Sequence, residues 1–162
     1  MIFRNKKLIL FVVLVLLITI PLSFMVVNKI APLAWNPFGR VHAYEGVAIY
    51  GYDPVAYHIQ NKAQIGNKDH AHVWSGFNWY FISDENRKRF VQDPSTYAPK
   101  FGGYCATAVY KGLTAKVDPN IWHIENGELF LFFSEEPKRD FVSKISEGII
   151  EESKNNWAAS ED

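Results

Sequence analysis

A chain of 162 residues is long enough for one domain with an appendage and too short for two full-sized domains. Of its 17 basic residues, four (Arg4, Lys6, Lys7, Lys29) lie in the first 39 positions, which hold no acidic residue, so the remainder carries 13 basic against 17 acidic side chains. That acidic balance excludes a general nucleic-acid binder, which needs a basic surface for phosphate, and the single cysteine excludes an internal disulfide.

Leu8 to Val27 is almost entirely apolar. As a helix it would span roughly 30 Å, the thickness of a bilayer core. Arg4, Lys6 and Lys7 precede it, so residues 1–7 are expected in the cytoplasm and the rest on the extracytoplasmic, periplasmic side. A cleaved signal sequence is the competing reading. Its apolar core would be Leu8–Ile20, ended by Pro21, and the nearest small-x-small-like cleavage site, Val41-His42-Ala43, lies far from that core. We therefore expect an uncleaved anchor over 8–27. Residues 28–43, with Pro32, Pro37 and Gly39, read as a linker, 44–157 as the domain and 158–162 as a tail.

Val47 and Ile49 suggest a weak strand, and Gly51-Tyr52-Asp53-Pro54 is turn chemistry. Val55–His58 begins a short helix or a strand, which the pattern leaves open. His70 and His72 form an H-x-H on a strand, with both side chains on one face. If Ser75-Gly76 sets the hairpin register, His72 lies opposite Trp79 and His70 opposite Phe81. Imidazoles packed on aromatic rings, or a solvated strand edge, together outweigh a metal chelate. Ser83 can cap a helix, and Pro94 stops it, because proline lacks the N–H and clashes with the preceding turn.

The segment Pro99-Lys100-Phe101-Gly102-Gly103-Tyr104-Cys105-Ala106 is a glycine-rich turn ending on the lone cysteine. Ala106–Lys111 suits a short helix closed by Gly112, and Asp118-Pro119-Asn120 a turn. Ile121–Phe133 is the clearest hairpin, since Asn126-Gly127 supplies the two positive φ angles of a type I′ turn. Its second strand is apolar on both faces, as a strand covered on both sides would be, and its His123 would pair with Phe130. The tail from Glu135 to Trp157 is helical, with Gly148 able to divide it. The predicted fold class is α+β: a small antiparallel sheet of hairpins packed with short helices, after one N-terminal transmembrane helix.

Three blocks carry a resemblance: Gly51-Tyr52-Asp53-Pro54-Val55-Ala56-Tyr57; Tyr80-Phe81-Ile82-Ser83 with Asn86, Phe90, Asp93-Pro94 and Tyr97; and Gly102-Gly103-Tyr104-Cys105-Ala106. In order and spacing they resemble the YHS-domain family, more narrowly its exported single-domain branch, over roughly residues 44–157. The resemblance implies a small α+β unit with a hairpin-plus-helix core. Members attached to copper-pumping ATPases use cysteines for metal. The corresponding positions here are Ala56, Ile82 and Asn86, none of which ligates a soft metal.

Cys105 follows two glycines and can start a helix, where free N–H groups and the helix dipole would lower its pKa. Against that stands the burial typical of lone cysteines. His58 follows the Asp53-Pro54-Val55 motif and is the expected histidine partner of Cys105. The pair would suit copper rather than tetrahedral zinc. Asp53, Gly102, Gly103 and Tyr104 complete the expected ligand-binding set, the glycines through close backbone approach, although a turn-forming carboxylate at Asp53 and a plain tight turn at the glycines outweigh ligand roles for them. No phosphate loop, H-E-x-x-H, G-x-S-x-G or C-x-x-C is present. The expected function is a membrane-tethered, non-enzymatic domain binding a metal ion or small ligand. A thiol-dependent redox protein or enzyme centred on Cys105, and a structural module of a membrane complex, are the alternatives.

Overall fold

The computed structural model describes residues 2–160, with side chains from Lys6 onward. Helix α1 (Ile2–Val27) leads into β1 (Ala31–Pro32), β2 (Ala43–Tyr44), β3 (Val47–Ala48) and helix α2 (Pro54–Ile59). A hairpin of β4 (Asn67–Trp74) and β5 (Phe77–Phe81) follows, then helices α3 (Asp84–Gln92), α4 (Pro94–Tyr97) and α5 (Ala106–Tyr110). Strand β6 (Leu113–Thr114), the hairpin β7 (Asp118–Glu125) and β8 (Glu128–Phe132), and helices α6 (Glu135–Ser143) and α7 (Ile149–Ala158) complete the chain. The fold is α+β. One sheet has the order β2-β3-β5-β4, with β3 and β5 parallel, and two antiparallel two-stranded ladders join β1 to β6 and β7 to β8.

Local chemistry accounts for most of these elements. Ser75 and Gly76 sit at φ 53° and 82°, and Asn126 and Gly127 at 52° and 78°, the paired positive angles a two-residue hairpin needs. Ser83 Oγ accepts the Asn86 N–H at 3.2 Å and caps α3. That helix stops at Gln92, ahead of Asp93-Pro94. Gly148, at φ 91°, divides the C-terminal helices. The segment Val55–His58, left open by pattern, is helical because Asp53 caps it and Pro54 occupies its first turn.

The core forms where the hairpins close on these helices. Phe90 of α3 stacks on Trp79 of β5 with ring centroids 5.2 Å apart. Strand β8 forms its ladder with β7, and Leu129–Phe132 are buried on both faces. Phe141 from α6 covers Phe130 and Phe132, each at 5.4 Å, and Phe101 reaches Phe130 at 5.8 Å.

Three local expectations change. His72 lies opposite Trp79, but a bulge between Asn67 and Ala71 puts Asn67, not His70, opposite Phe81. Asp118-Pro119-Asn120 is not a free turn. It opens β7, where Asp118 Oδ1 accepts the Asn120 N–H at 2.9 Å and the ladder is bulged before Trp122. Residues 28–43, expected as a linker, are built into the domain. Leu33, Val41 and His42 are buried, and β1 completes a ladder with β6.

The foot of α1 is bolted down by the same segment. Asn28 carbonyl accepts the Lys116 N–H at 2.8 Å, Lys29 carbonyl accepts the Thr114 hydroxyl at 2.7 Å, and Lys29 Nζ donates to the Ala43 carbonyl. Residues Lys6–Val27 of α1 are long and apolar enough to cross a membrane, and their apolar window is not buried against the domain. A chain beginning at Tyr44 loses β1 and three buried side chains, whereas one beginning at Asn28 keeps them. The shorter chain should show no cooperative melting transition and the longer one should, by circular dichroism. Equal melting of the two would contradict the integral role of 28–43.

Candidate functional site

The residues expected to form a site begin with Asp53. It is fully buried. Oδ1 accepts the N–H groups of Val55 and Ala56 at 2.8 and 3.2 Å, and Oδ2 accepts the Ile82 N–H at 2.9 Å and the Asn86 amide at 2.7 Å. Four donors fill the carboxylate, so it offers no free oxygen to a ligand. Ala56, Ile82 and Asn86, the positions where the resemblance implies metal-binding cysteines, all meet at this one side chain. What they make here is a hydrogen-bonded knot joining α2 to the junction of β5 and α3.

His58 lies near the end of α2. Its ring stands edge-on to Tyr97 with centroids 5.5 Å apart, and its Nε2 is buried with no partner among the described residues. Burial lowers its pKa, opposed in part by a hydrogen bond with the Tyr97 backbone, so it is neutral near pH 7.

Gly102 and Gly103 do allow a close backbone approach, but to this chain. A side chain on Gly102 would place its Cβ 1.8 Å from the Arg40 carbonyl oxygen, and the Gly102 carbonyl accepts the His42 N–H at 2.8 Å. Tyr104 is fully buried, with its hydroxyl donating to the Gly39 carbonyl at 3.0 Å. The space assigned to a ligand at these three residues holds residues 39–42.

Cys105 is the N-cap of α5 and is 2% exposed. Burial pushes its thiol pKa up, and the nearby N–H groups of Ala108, Phe133 and Thr107 oppose that without reversing it. Of the two readings open for Cys105, the buried thiol is the one this geometry favours. A helix of five residues has little dipole to offer, and desolvation of the sulfur wins. His58 packs on α4 while Cys105 bridges to Leu131 of β8. Among the described residues no three His, Cys, Asp or Glu side chains are grouped to hold a metal ion.

Sequence reasoning missed His42. It is fully buried between Tyr50 and Tyr104, at centroid distances of 5.0 and 5.3 Å, and neither ring nitrogen has a partner among the described residues. Burial, helped by Lys29, lowers its pKa from 6.5 to about 3. Its place inside an apparent linker gave no sign of burial, which comes from Gly102 and Tyr104 far along the chain.

Cys105 does face open space. A cavity of about 260 Å³ lies between the foot of α1 and the domain. Phe24 and Ile30 wall it on one side, and Cys105, Ala108, Leu113 and Phe133 on the other. It is large beside the roughly 150 Å³ apolar cavity that admits benzene. A polar hollow of about 560 Å³ adjoins it, sharing Thr107, Lys111 and Pro137 and adding Glu136, Asp140 and Lys144. Comparison of the chain with family models, with curated proteins and with solved structures finds no match.

His42 generates a pH prediction. The unfolded imidazole takes a proton near 6.5 and the folded one only near 3, so stability falls as pH falls through that window. At about 1.4 kcal/mol per pKa unit the loss attributable to His42 across that whole window is roughly 5 kcal/mol. His42→Phe should melt no lower than the parent at pH 7 and lose much less stability by pH 4, as measured by urea denaturation at both pH values. Parallel acid profiles would show that His42 is not the group responsible.

Proposed function

We propose that this is a membrane-tethered, extracytoplasmic domain of the YHS type that binds a small apolar ligand, without enzymatic chemistry, in the cavity at the foot of its anchor. The observation that carries this reading is the shared wall: α1 and the domain both line the space. Removal of α1 as a signal sequence would take Phe24 from that wall, which supports retention of the helix. Arg4, Lys6 and Lys7 before the apolar stretch support a cytoplasmic N-terminus and an exported domain.

The metal reading has less support. Asp53 is saturated by its four donors, and His58 and Cys105 belong to different neighbourhoods. The thiol-enzyme reading has less as well, because the buried sulfur rests as a protonated thiol. Cys105 serves here as part of an apolar wall.

Its position makes it a reporter. In the full chain in nanodiscs, a thiol reagent should label Cys105 slowly in the native state. Saturating a small aromatic such as indole should slow labelling severalfold, and Ala108→Leu, which fills the cavity, should do the same without ligand. Labelling that follows global unfolding alone, and is indifferent to both changes, would remove the cavity as a binding site.

A further inference from the structure

Each of Asn28, Thr107 and Thr114 in the cavity wall gives a hydrogen bond to backbone. Asn28 Nδ2 donates to the Phe24 carbonyl at 2.8 Å, Thr107 Oγ1 to the Pro137 carbonyl at 2.7 Å and Thr114 Oγ1 to the Lys29 carbonyl at 2.7 Å. Asn28 and Thr107 keep acceptor oxygens, but the rest of the wall is Phe24, Ile30, Ala108, Leu113 and Phe133, so a ligand entering this space meets mostly hydrocarbon. A mainly apolar occupant fits this lining. Phe24 lies within the stretch long and apolar enough to cross a membrane, and Asn28 follows its end by one residue. The wall therefore continues the surface that a bilayer would cover, and the nearest hydrocarbon is lipid.

The adjoining hollow has the opposite character. Lys144 pairs with Asp140 at 2.7 Å, while Glu136 and Lys111 make no ion pair among the described residues. Both signs of charge are present, as an ammonium–phosphate zwitterion requires. A purely anionic group would meet Glu136 and Asp140, and a purely cationic one would meet Lys111 and Lys144. Thr107, Lys111 and Pro137 line both spaces, so one molecule with an apolar tail and a zwitterionic head can occupy the two together.

We propose that the ligand is a zwitterionic phospholipid of the surrounding bilayer, with one acyl chain in the cavity behind Phe24 and its headgroup in the hollow between Lys111 and Glu136. The proposal rests on the reading of the cavity as a ligand site. It adds the ligand's class and its route of entry, from the membrane rather than from water.

The test uses the full chain, methyl-labelled at alanine, in phosphatidylcholine nanodiscs. The probe is phosphatidylethanolamine carrying a nitroxide at the end of one acyl chain. The methyl signals of Ala108 and Ala115 should broaden severalfold more than that of Ala63, which lies outside the cavity wall. Ala108→Leu should abolish the excess at Ala115, and Ala115→Val provides a second filled cavity should the first variant fold poorly. Phosphatidylglycerol with the same label should broaden the pair less. Equal or greater broadening by the anionic lipid overturns the headgroup assignment. A water-soluble apolar nitroxide that enters while the lipid does not overturns the lipid and leaves an apolar site standing. Entry by neither probe overturns the site itself.

Discussion

A carboxylate taken out of water needs donors in its place, and Asp53 finds four. Burying an unpaired charge costs several kcal/mol. Here the first turn of α2 supplies two N–H groups and the junction of β5 and α3 supplies a backbone N–H and the Asn86 amide. These bonds to an ionised group are of the stronger kind. They also fix geometry. With α2 held against β5, Tyr57 points across to the second hairpin, donates to the Pro119 carbonyl at 2.8 Å and stands edge-on to Trp122 at 5.4 Å. One side chain thus joins both hairpins through a helix of six residues, too short to be stable alone.

The other half of the molecule is organised by backbone rather than charge. Gly102 lets residues 40–42 press against the glycine-rich turn, and no residue with a Cβ could stand there. The same contact buries His42 with both nitrogens unpaired among the described residues, a cost the aromatic packing around it offsets. It also draws the chain back so that the segment after α1 meets β6 and the foot of the helix becomes part of the domain. The cavity beside Cys105 is a consequence of that docking. Small side chains at Cys105, Ala108 and Ala115 leave room behind Phe24 that nothing in the domain fills.

How much of this was legible depended on the range of the interaction. The Ser83 cap, the Asn126-Gly127 turn and the break at Gly148 are local, and the residue types alone announced them. His72 opposite Trp79 was legible because a two-residue turn sets the register; His70 was not, because the bulge beyond Ala71 leaves no signature in the residues that pair. Asp53 was singled out, first as a turn-forming carboxylate and then as part of a ligand set. Its cap on Val55 and Ala56 is local, whereas its bonds to Ile82 and Asn86 depend on tertiary contact. The burial of His42, the integration of residues 28–43 and the upward shift of the Cys105 thiol likewise depend on what packs against them.

The central claim is that Asp53 ties α2 to the hairpin, so that these elements open only together. Native-state amide hydrogen exchange measures this directly at Val55, Ala56 and Ile82, whose N–H groups the carboxylate holds. All three should exchange with one common opening free energy, equal to that of global unfolding measured by denaturant. Exchange of Val55 and Ala56 through a cheaper local opening of α2, with Ile82 still protected, would contradict the account.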